Sequence, residues 1–424
     1  MTYQEAVDYI ELHTWSTTKL GLERTQELLR RMGDPQKKLK FVHVAGSNGK
    51  GSTCAMLEAI LRAAGYKTGL YISPYIQDFC ERMQVNGENV PGDMLAAITE
   101  RVRVLADAME DHPSQFELST AIAMVYFLES GCDIVVLEVG MGGALDSTNA
   151  IDAPEVAVIT NIGLEHTEYL GKTLEAIAAT KAGIIKPGCS AVCYDGEAVV
   201  TEVVREACRA RGVPLRCVDF SRMQPQGETL QGQDFLWDGK PLHVSLLGPH
   251  QLHNTCTVLE TVEALRERGW TIPPEAVATG LETVKWPARL EVMGLSPLFL
   301  LDGGHNPQCA EALCASLDRL LPGQKVVFLL GVLADKDYPQ IMGLVQPYAQ
   351  EFFCLTPFSD RALTAKALAK FLRDKGAKAR AVPDVKRGIR AAMRAAGPDG
   401  AVVAFGSLYL AGHIRTEYQE MFGK

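Results

Sequence analysis

A two-unit α/β protein, a mostly parallel sheet followed by a smaller Rossmann-like unit of the same rhythm, is the fold class this sequence predicts. Short apolar runs alternate with amphipathic stretches, and a glycine-rich turn joins the first clear strand to the first clear helix. The alternation breaks once, over residues 228–247, and then resumes. At 424 residues the chain exceeds one ordinary core, and a prior of roughly 150 residues per domain suggests two or three units, two being the working count.

The elements follow in order. Lys40–Ala45 (KFVHVA) reads as a buried strand, and Thr53–Ala64 has helical periodicity ending at Gly65. Further buried strands are expected at Thr68–Ile72, Asp133–Val139 and Val156–Thr160, with amphipathic helices between them, which implies a sheet covered on both faces. From Glu228 to Leu247 short runs broken by Gly-Gln, Asp-Gly and Lys-Pro predict a β-hairpin excursion ahead of a helix around His253–Arg268. Strands at Leu298–Leu301, Val326–Leu330, Phe352–Leu355 and Ala401–Phe405 then alternate with helices starting near Gln308, Tyr338, Thr364 and Val385. The boundary is expected between Arg289 and Pro297, dividing the chain into 1–292 and 293–424. Two domains commonly share a ligand site.

Composition narrows the function classes. With 47% apolar and 22% charged residues the chain belongs among soluble globular proteins. The N-terminal stretch MTYQEAVDYIELHTW is acidic where a signal peptide is basic, and no apolar run approaches the roughly eighteen residues of a membrane span, so a cytoplasmic protein without membrane contact is expected. The 11 cysteines form no CxxC pair, which argues against a zinc knuckle or a disulfide frame. A net charge of -9 argues against broad nucleic-acid binding. An anionic ligand would have to be held by a few basic side chains, a helix N-terminus or a metal ion.

The chemistry-bearing motif is Gly46-Ser-Asn-Gly-Lys-Gly-Ser-Thr53, between the Lys40–Ala45 strand and the following helix. Backbone N–H groups and the positive end of a helix dipole would face a phosphate there, with Lys50 adding a point charge. Asn48, Gly49, Lys50, Gly51, Ser52 and Thr53 are therefore candidate ATP contacts. The pattern is GxxGKG[ST]: Gly51 separates Lys50 from the hydroxyl pair that follows it directly in the usual phosphate loop. A tight glycine turn ahead of an ordinary helix would show the same composition.

This variant, in the run Leu39 to Ser52, resembles the nucleotide loop of the Mur ligase superfamily, in its folylpolyglutamate synthase and dihydrofolate synthase branch. The likeness extends over nearly the whole chain, through Gly21-Leu-Glu-Arg24, Met32-Gly-Asp-Pro-Gln36, Ser73-Pro74 with Glu81-Arg82, and Glu138-Val-Gly-Met-Gly-Gly143 with Asp146-Ser-Thr-Asn149. It continues in Asn161-Ile-Gly-Leu-Glu-His166, Lys181-Ala-Gly-Ile-Ile-Lys-Pro-Gly188, Trp286-Pro-Ala-Arg289, Asp302-Gly-Gly-His-Asn-Pro307 and Gly406-Ser-Leu-Tyr-Leu410. It implies an ATP-dependent ligase that adds L-glutamate to a reduced folate, or to dihydropteroate, through an acyl phosphate. It also implies a monomer, with Mg²⁺ as cofactor and K⁺ as a second candidate cation.

The resemblance assigns roles residue by residue. The family's metal-binding Ser, Glu and His fall on Ser73, Glu138 and His166, with the Ser52 hydroxyl beside them. Glu138 closes one predicted strand and His166 lies just past another, where the ends of a parallel sheet line a ligand crevice. Read alone, Glu138 is more often a solvated loop acid and His166 a capping or core-edge histidine; the resemblance reverses that. Lys181, in a short helix that composition would leave at the surface, is implied to be carbamylated and catalytic together with Lys50 and His305. Asn254, Arg289 and Asp302 are implied ATP contacts, Asp302 and His305 helping to assemble a site between domains. His305-Asn306-Pro307 also makes an N-cap and first-turn pair for the next helix. The folate is expected against Tyr75, Phe79, Glu81, Arg82, Phe116, Glu117 and Asp146. Asp78 stands where many relatives carry a basic residue and Ala144 where many carry arginine, so tail preference does not transfer from either.

Two other readings compete. A peptidoglycan-precursor Mur ligase would carry a UDP-binding domain ahead of the loop, where this sequence has about 45 residues. A nucleotide-binding regulator would not need Glu138, His166, Lys181 and a second α/β unit.

Overall fold

The computed structural model describes residues 1–12, 21–165 and 167–423. The chain divides into two compact units, one comprising Met1–Gln224, Leu236–Leu242 and His253–Val284, the other Pro225–Phe235, His243–Leu252 and Lys285–Lys424.

The first unit is built on an eight-stranded sheet of β1 (Phe41–Ala45), β2 (Thr68–Tyr71), β3 (Met83–Val85), β4 (Glu88–Asn89), β5 (Ile134–Glu138), β6 (Val156–Ile159), β7 (Ser190–Cys193) and β8 (Leu215–Cys217). Their order across the sheet is β4-β3-β2-β5-β1-β6-β7-β8. From β2 to β8 neighbouring strands are parallel, and only the β2–β3 and β3–β4 pairs are antiparallel. All five residues of β1, β5 and the second unit's apolar strands are buried, as expected for strands covered on both faces. The register sets Val44 beside Glu138 and Ala45 beside Ile159. The loops that leave β1, β5 and β6 therefore emerge side by side at the C-terminal edge of the sheet.

β9 (Met223–Thr229), β10 (Gly232–Trp237) and β11 (Lys240–Val244) form a three-stranded sheet in place of the expected hairpin. The second unit takes in residues 225–235 and 243–252 from this region, so the division does not fall at a single point such as 292/293. The reason is packing across the sequence: Leu247 is buried in the second unit's core, Leu230 packs against that core, and Arg319 Nη1 lies 4.0 Å from the Glu228 carboxylate. The second unit's own sheet holds β12 (Glu291–Leu295), β13 (Leu298–Leu301), β14 (Val326–Leu330), β15 (Ala349–Cys354), β16 (Ala379–Ala381) and β17 (Ala401–Phe405), in the order β12-β13-β17-β14-β15-β16. Only β12 runs antiparallel to its neighbour. Among the described residues no helix is long and apolar enough to cross a membrane. All 11 cysteines are free thiols.

The helix Lys50–Ala63 that follows β1 is held by the helix Pro274–Thr283, which crosses it at Gly280. A Cβ on Gly280 would stand 2.5 Å from Ile60 Cα and 2.6 Å from Ile60 N, backbone atoms that cannot move aside. Gly280→Ala is therefore expected to destabilise the first unit by on the order of 1–3 kcal/mol through overpacking. Denaturant unfolding checks this, and an unchanged midpoint would contradict the contact.

Candidate active site

The glycine turn is fixed from two sides. A Cβ on Gly46 would fall 1.7 Å from Thr160 Oγ1, so the chain after β1 can pass the chain after β6 only as glycine. The Ser47 and Asn48 amides donate to the Asn161 carbonyl at 2.8 and 3.1 Å. Thr160 Oγ1 donates to the Asn48 carbonyl at 2.9 Å, and Ser47 Oγ to the Gly163 carbonyl at 2.9 Å. Gly49 then takes a left-handed conformation (φ 85°) as N-cap of the helix Lys50–Ala63. A Cβ there would meet Asn254 Oδ1 at 2.4 Å, which brings the expected ATP contact Asn254 against the tip of the loop.

No side chain caps this helix, and the first amide to bond back is that of Thr53, to the Gly49 carbonyl at 2.9 Å. The amides of Lys50, Gly51 and Ser52 thus lie in the first turn, where an α-helix offers them no internal acceptor. That is the geometry of an anion site. Ser52 and Thr53 are buried, and among the described residues the Thr53 hydroxyl has no hydrogen-bond partner.

Two ammonium groups converge on one carbonyl. Lys50 Nζ donates to the Gly46 and Ser47 carbonyls at 2.9 and 3.1 Å, and Lys181 Nζ donates to the same Gly46 carbonyl at 2.7 Å. Lys181 is 2% exposed, against the surface position composition suggests for it, because the last turn of the helix Leu174–Lys181 lies over the loop. Its second partner is Glu165, at 3.0 Å. Burial, and then the Lys50 charge, lower the Lys181 pKa to about 8.

Glu138, the last residue of β5, is buried, and its Oε2 accepts from the Ser73 amide at 3.0 Å. With the Ser52 and Ser73 hydroxyls it would make an all-oxygen donor set carrying one carboxylate, a chemistry that fits Mg²⁺ held also by water and substrate phosphate. Among the described residues no cluster of three or more His, Cys, Asp and Glu forms a self-sufficient metal cage. His166, expected as a further ligand, lies outside the described residues.

The expected folate residues form two groups. In one, Phe116 packs so closely on Gly140 that an added Cβ would lie 2.5 Å from its ring. Buried Asp146 closes the same loop, Oδ2 accepting from the Met141 amide at 2.8 Å, and burial raises its pKa. In the other, the Arg82 guanidinium lies 5.2 Å from the Tyr75 ring centre and 5.4 Å from that of Phe79. Arg82 is 8% exposed, and among the described residues its Nε and Nη1 have no hydrogen-bond partner. Phe79 itself is buried in the core, and Glu117 is taken up by a capping box with Ser114 and an ion pair with Arg24 at 3.1 Å. Asp78 and Glu81 cap the short helix Phe79–Arg82.

In the second unit, Asp302 accepts from the Leu290 amide at 2.9 Å and the Gly304 amide at 2.7 Å. Arg289 lies between Ala288 and Leu290, both left-handed (φ 54° and 50°), a strained backbone, and its Nη1 donates to the Ala288 carbonyl at 3.0 Å. His305 Nδ1 lies 3.3 Å from the Gly303 carbonyl, and Asn306 with Pro307 caps the helix Pro307–Leu320. Residue-by-residue reading did not single out Glu165, Thr160 or Asn161. Their signal was the motif 161–166 and its distance from the loop, closed only by the β1–β6 pairing.

Residues 44–262 match the Mur ligase middle domain, and residues 288–408 match the glutamate ligase domain of Mur ligases. The dihydrofolate synthase/folylpolyglutamate synthase of Bacillus subtilis is 34% identical over 86% of this chain and 88% of its own. The chain belongs to the folylpolyglutamate and dihydrofolate synthase branch of the Mur ligase family. A crystal structure of Mycobacterium tuberculosis folylpolyglutamate synthase complexed with ADP and AMPPCP superimposes with a TM-score of 0.89, at 30% identity, over 100% of this chain and 99% of that one. Escherichia coli FolC in complex with DHPP and ADP gives a TM-score of 0.86 at 30% identity, over 99% and 98%. As a Mur ligase of this branch, the chain is an ATP-dependent amide ligase.

Proposed function

We infer that this ligase adds L-glutamate to the terminal carboxylate of tetrahydrofolate and its polyglutamates, and to that of dihydropteroate. The observation that carries the reading is the convergence of Lys50 and Lys181 on the Gly46 carbonyl at the N-terminus of an uncapped helix, one strand away from Glu138. A carboxylate is a poor acyl donor, because hydroxide or oxide is a poor leaving group at neutral pH. A carboxylate oxygen of the folate attacks the γ-phosphorus of ATP, the bond to the β-bridging oxygen breaks, and an acyl phosphate and ADP result. The glutamate amine then attacks the acyl carbon, inorganic phosphate leaves with the carbon–oxygen bond pair, and the amine gives up a proton as the amide forms.

The chain's part is positioning and charge. Lys50 and the first-turn amides hold the phosphates, and Asn254 meets the nucleotide at the loop tip. Ser52, Ser73 and Glu138 would hold Mg²⁺, which screens the β- and γ-phosphates when bound. Phe116, Asp146, Tyr75 and Arg82 receive the folate, the unpartnered Arg82 N–H groups suiting a carboxylate. Within the second unit, Arg289, Asp302 and His305 are assigned to nucleotide and glutamate binding by the family resemblance.

Lys181 is the residue for which a covalent change fits the geometry. A neutral amine adds CO2 to give a carbamate and a released proton, which would turn one of two crowded cations into an anion. A lysine whose pKa is lowered to about 8 is protonated below that value and neutral above it. Carbamate formation should therefore grow from about pH 7 to about pH 9. Isotope-labelled bicarbonate is expected to give a carbamate carbonyl signal in NMR that is absent in Lys181→Ala. No such signal, with full activity of Lys181→Ala, would remove the modification.

Purified protein is expected to release phosphate from ATP only when glutamate and either tetrahydrofolate or dihydropteroate are both present. Glu138→Gln should lower the rate by about a hundredfold and shift the Mg²⁺ titration to higher concentration. Turnover without glutamate would instead favour a nucleotide switch, and an unshifted titration would take Glu138 out of the metal site.

A further inference from the structure

β1 carries a histidine that ligand binding does not explain. His43 is 0% exposed in the middle of the eight-stranded sheet, paired with Leu137 of β5 and Ala157 of β6, where an aliphatic residue would pack without polar cost. Its Nε2 lies 2.9 Å from Thr148 Oγ1, and Thr148 is also 0% exposed. Thr148 Oγ1 in turn donates to Asp146 Oδ1 at 2.5 Å, and the Thr148 amide donates to the same oxygen at 3.0 Å.

The chain of bonds fixes its own direction. A carboxylate only accepts, so the Thr148 hydroxyl proton goes to Asp146, and the hydroxyl oxygen is left to accept from the ring. His43 is therefore the tautomer protonated on Nε2. Its Nδ1, buried and without a hydrogen-bond partner among the described residues, is the unprotonated nitrogen. Burial, and then the nearby Lys186 charge, lower the His43 pKa to about 3, so the ring stays neutral and the direction does not reverse at neutral pH.

We propose that His43 and Thr148 are positioning residues for folate binding: a buried donor relay, His43 Nε2–H to Thr148 Oγ1–H to Asp146 Oδ1, that holds the Asp146 carboxylate in one orientation toward the substrate. The inference rests on Asp146 being a folate contact. The relay supplies what the backbone alone does not. The Met141 amide fixes Oδ2 and the Thr148 amide approaches Oδ1 from the chain side, while the hydroxyl polarised by His43 provides the shortest bond to the carboxylate. A buried carboxylate held by the Thr148 hydroxyl and by the Gly140, Met141 and Thr148 amides is ordered before the substrate arrives, and its rotation is not frozen at the expense of affinity.

The relay also spans two functions. His43 stands two residues before Ala45, at the root of the phosphate loop, yet its hydrogen bond points to Asp146 and not to the loop. Loss of the donor chain should therefore be felt at the folate and not at the nucleotide. A general loosening of β1 would be felt at both.

The test compares KM for the folate substrate with KM for ATP in the full-length enzyme. Thr148→Val, which keeps the shape and removes the hydroxyl, and His43→Leu, which removes the ring donor, are each expected to raise the folate KM about tenfold, with ATP KM changed by less than twofold. Thr148→Ser and His43→Gln, which retain the donors, should restore the folate KM to within about threefold of the parent. Equal shifts in both KM values, or failure of the retaining variants to rescue, would reduce the pair to core packing and overturn the relay. Asp146→Asn run beside them separates the two claims. If it raises the folate KM while Thr148→Val does not, the relay is wrong and the contact stands. If Asp146→Asn leaves the folate KM unchanged, the contact itself fails and the relay with it.

Discussion

The first unit's chemistry depends on one carbonyl oxygen. Gly46 accepts hydrogen bonds from both Lys50 and Lys181, two cations brought together from helices more than a hundred residues apart in sequence. Burial first, and then repulsion from the Lys50 charge, lower the Lys181 pKa. The carbonyl and Glu165 offset part of it. An anion bound over the loop, as proposed, would offset more. The arrangement exists only because Gly46 carries no Cβ and can lie against Thr160.

The rest of the site is organised around that point by sheet register. β5 and β6 flank β1 in parallel, so Glu138 and residues 160–163 leave the sheet beside the glycine turn. The loop that starts after Glu138 reaches Asp146, and the amide of Ser73 after β2 bonds back to Glu138. The residues proposed for phosphate, metal and folate thus come from the ends of adjacent strands, as ligand sites do in open α/β sheets.

Much of this was legible in the sequence, for physical reasons. β14 and β17 are apolar on both faces, and β1 is so but for His43; such runs declare themselves without any partner. The capping triplet 305–307 is local chemistry and folds as its residues suggest. Short strands were not legible: β8 has no fully buried residue, and β16 mixes Arg with Ala at an edge. The helix after the loop begins at Lys50, ahead of its apolar periodicity, because glycine at the cap needs no signature of its own there. Lys181 was the least legible residue of the site. Its burial is decided by a backbone carbonyl in a distant turn, and no local pattern encodes that. The split of the chain into units was missed in the same way, since Leu230 and Leu247 pack against a core built from residues beyond 285, and Glu228 pairs with Arg319.

The central claim is that the loop around Gly46 holds the phosphates of ATP, with Lys50 as its indispensable charge. Calorimetric titration of Lys50→Ala with Mg-ATP, beside a circular dichroism spectrum of the same protein, tests it most directly. The account predicts a native spectrum with ATP affinity reduced by about a hundredfold or more, as expected for loss of a charge-assisted phosphate contact. A native spectrum with unchanged ATP affinity would contradict it.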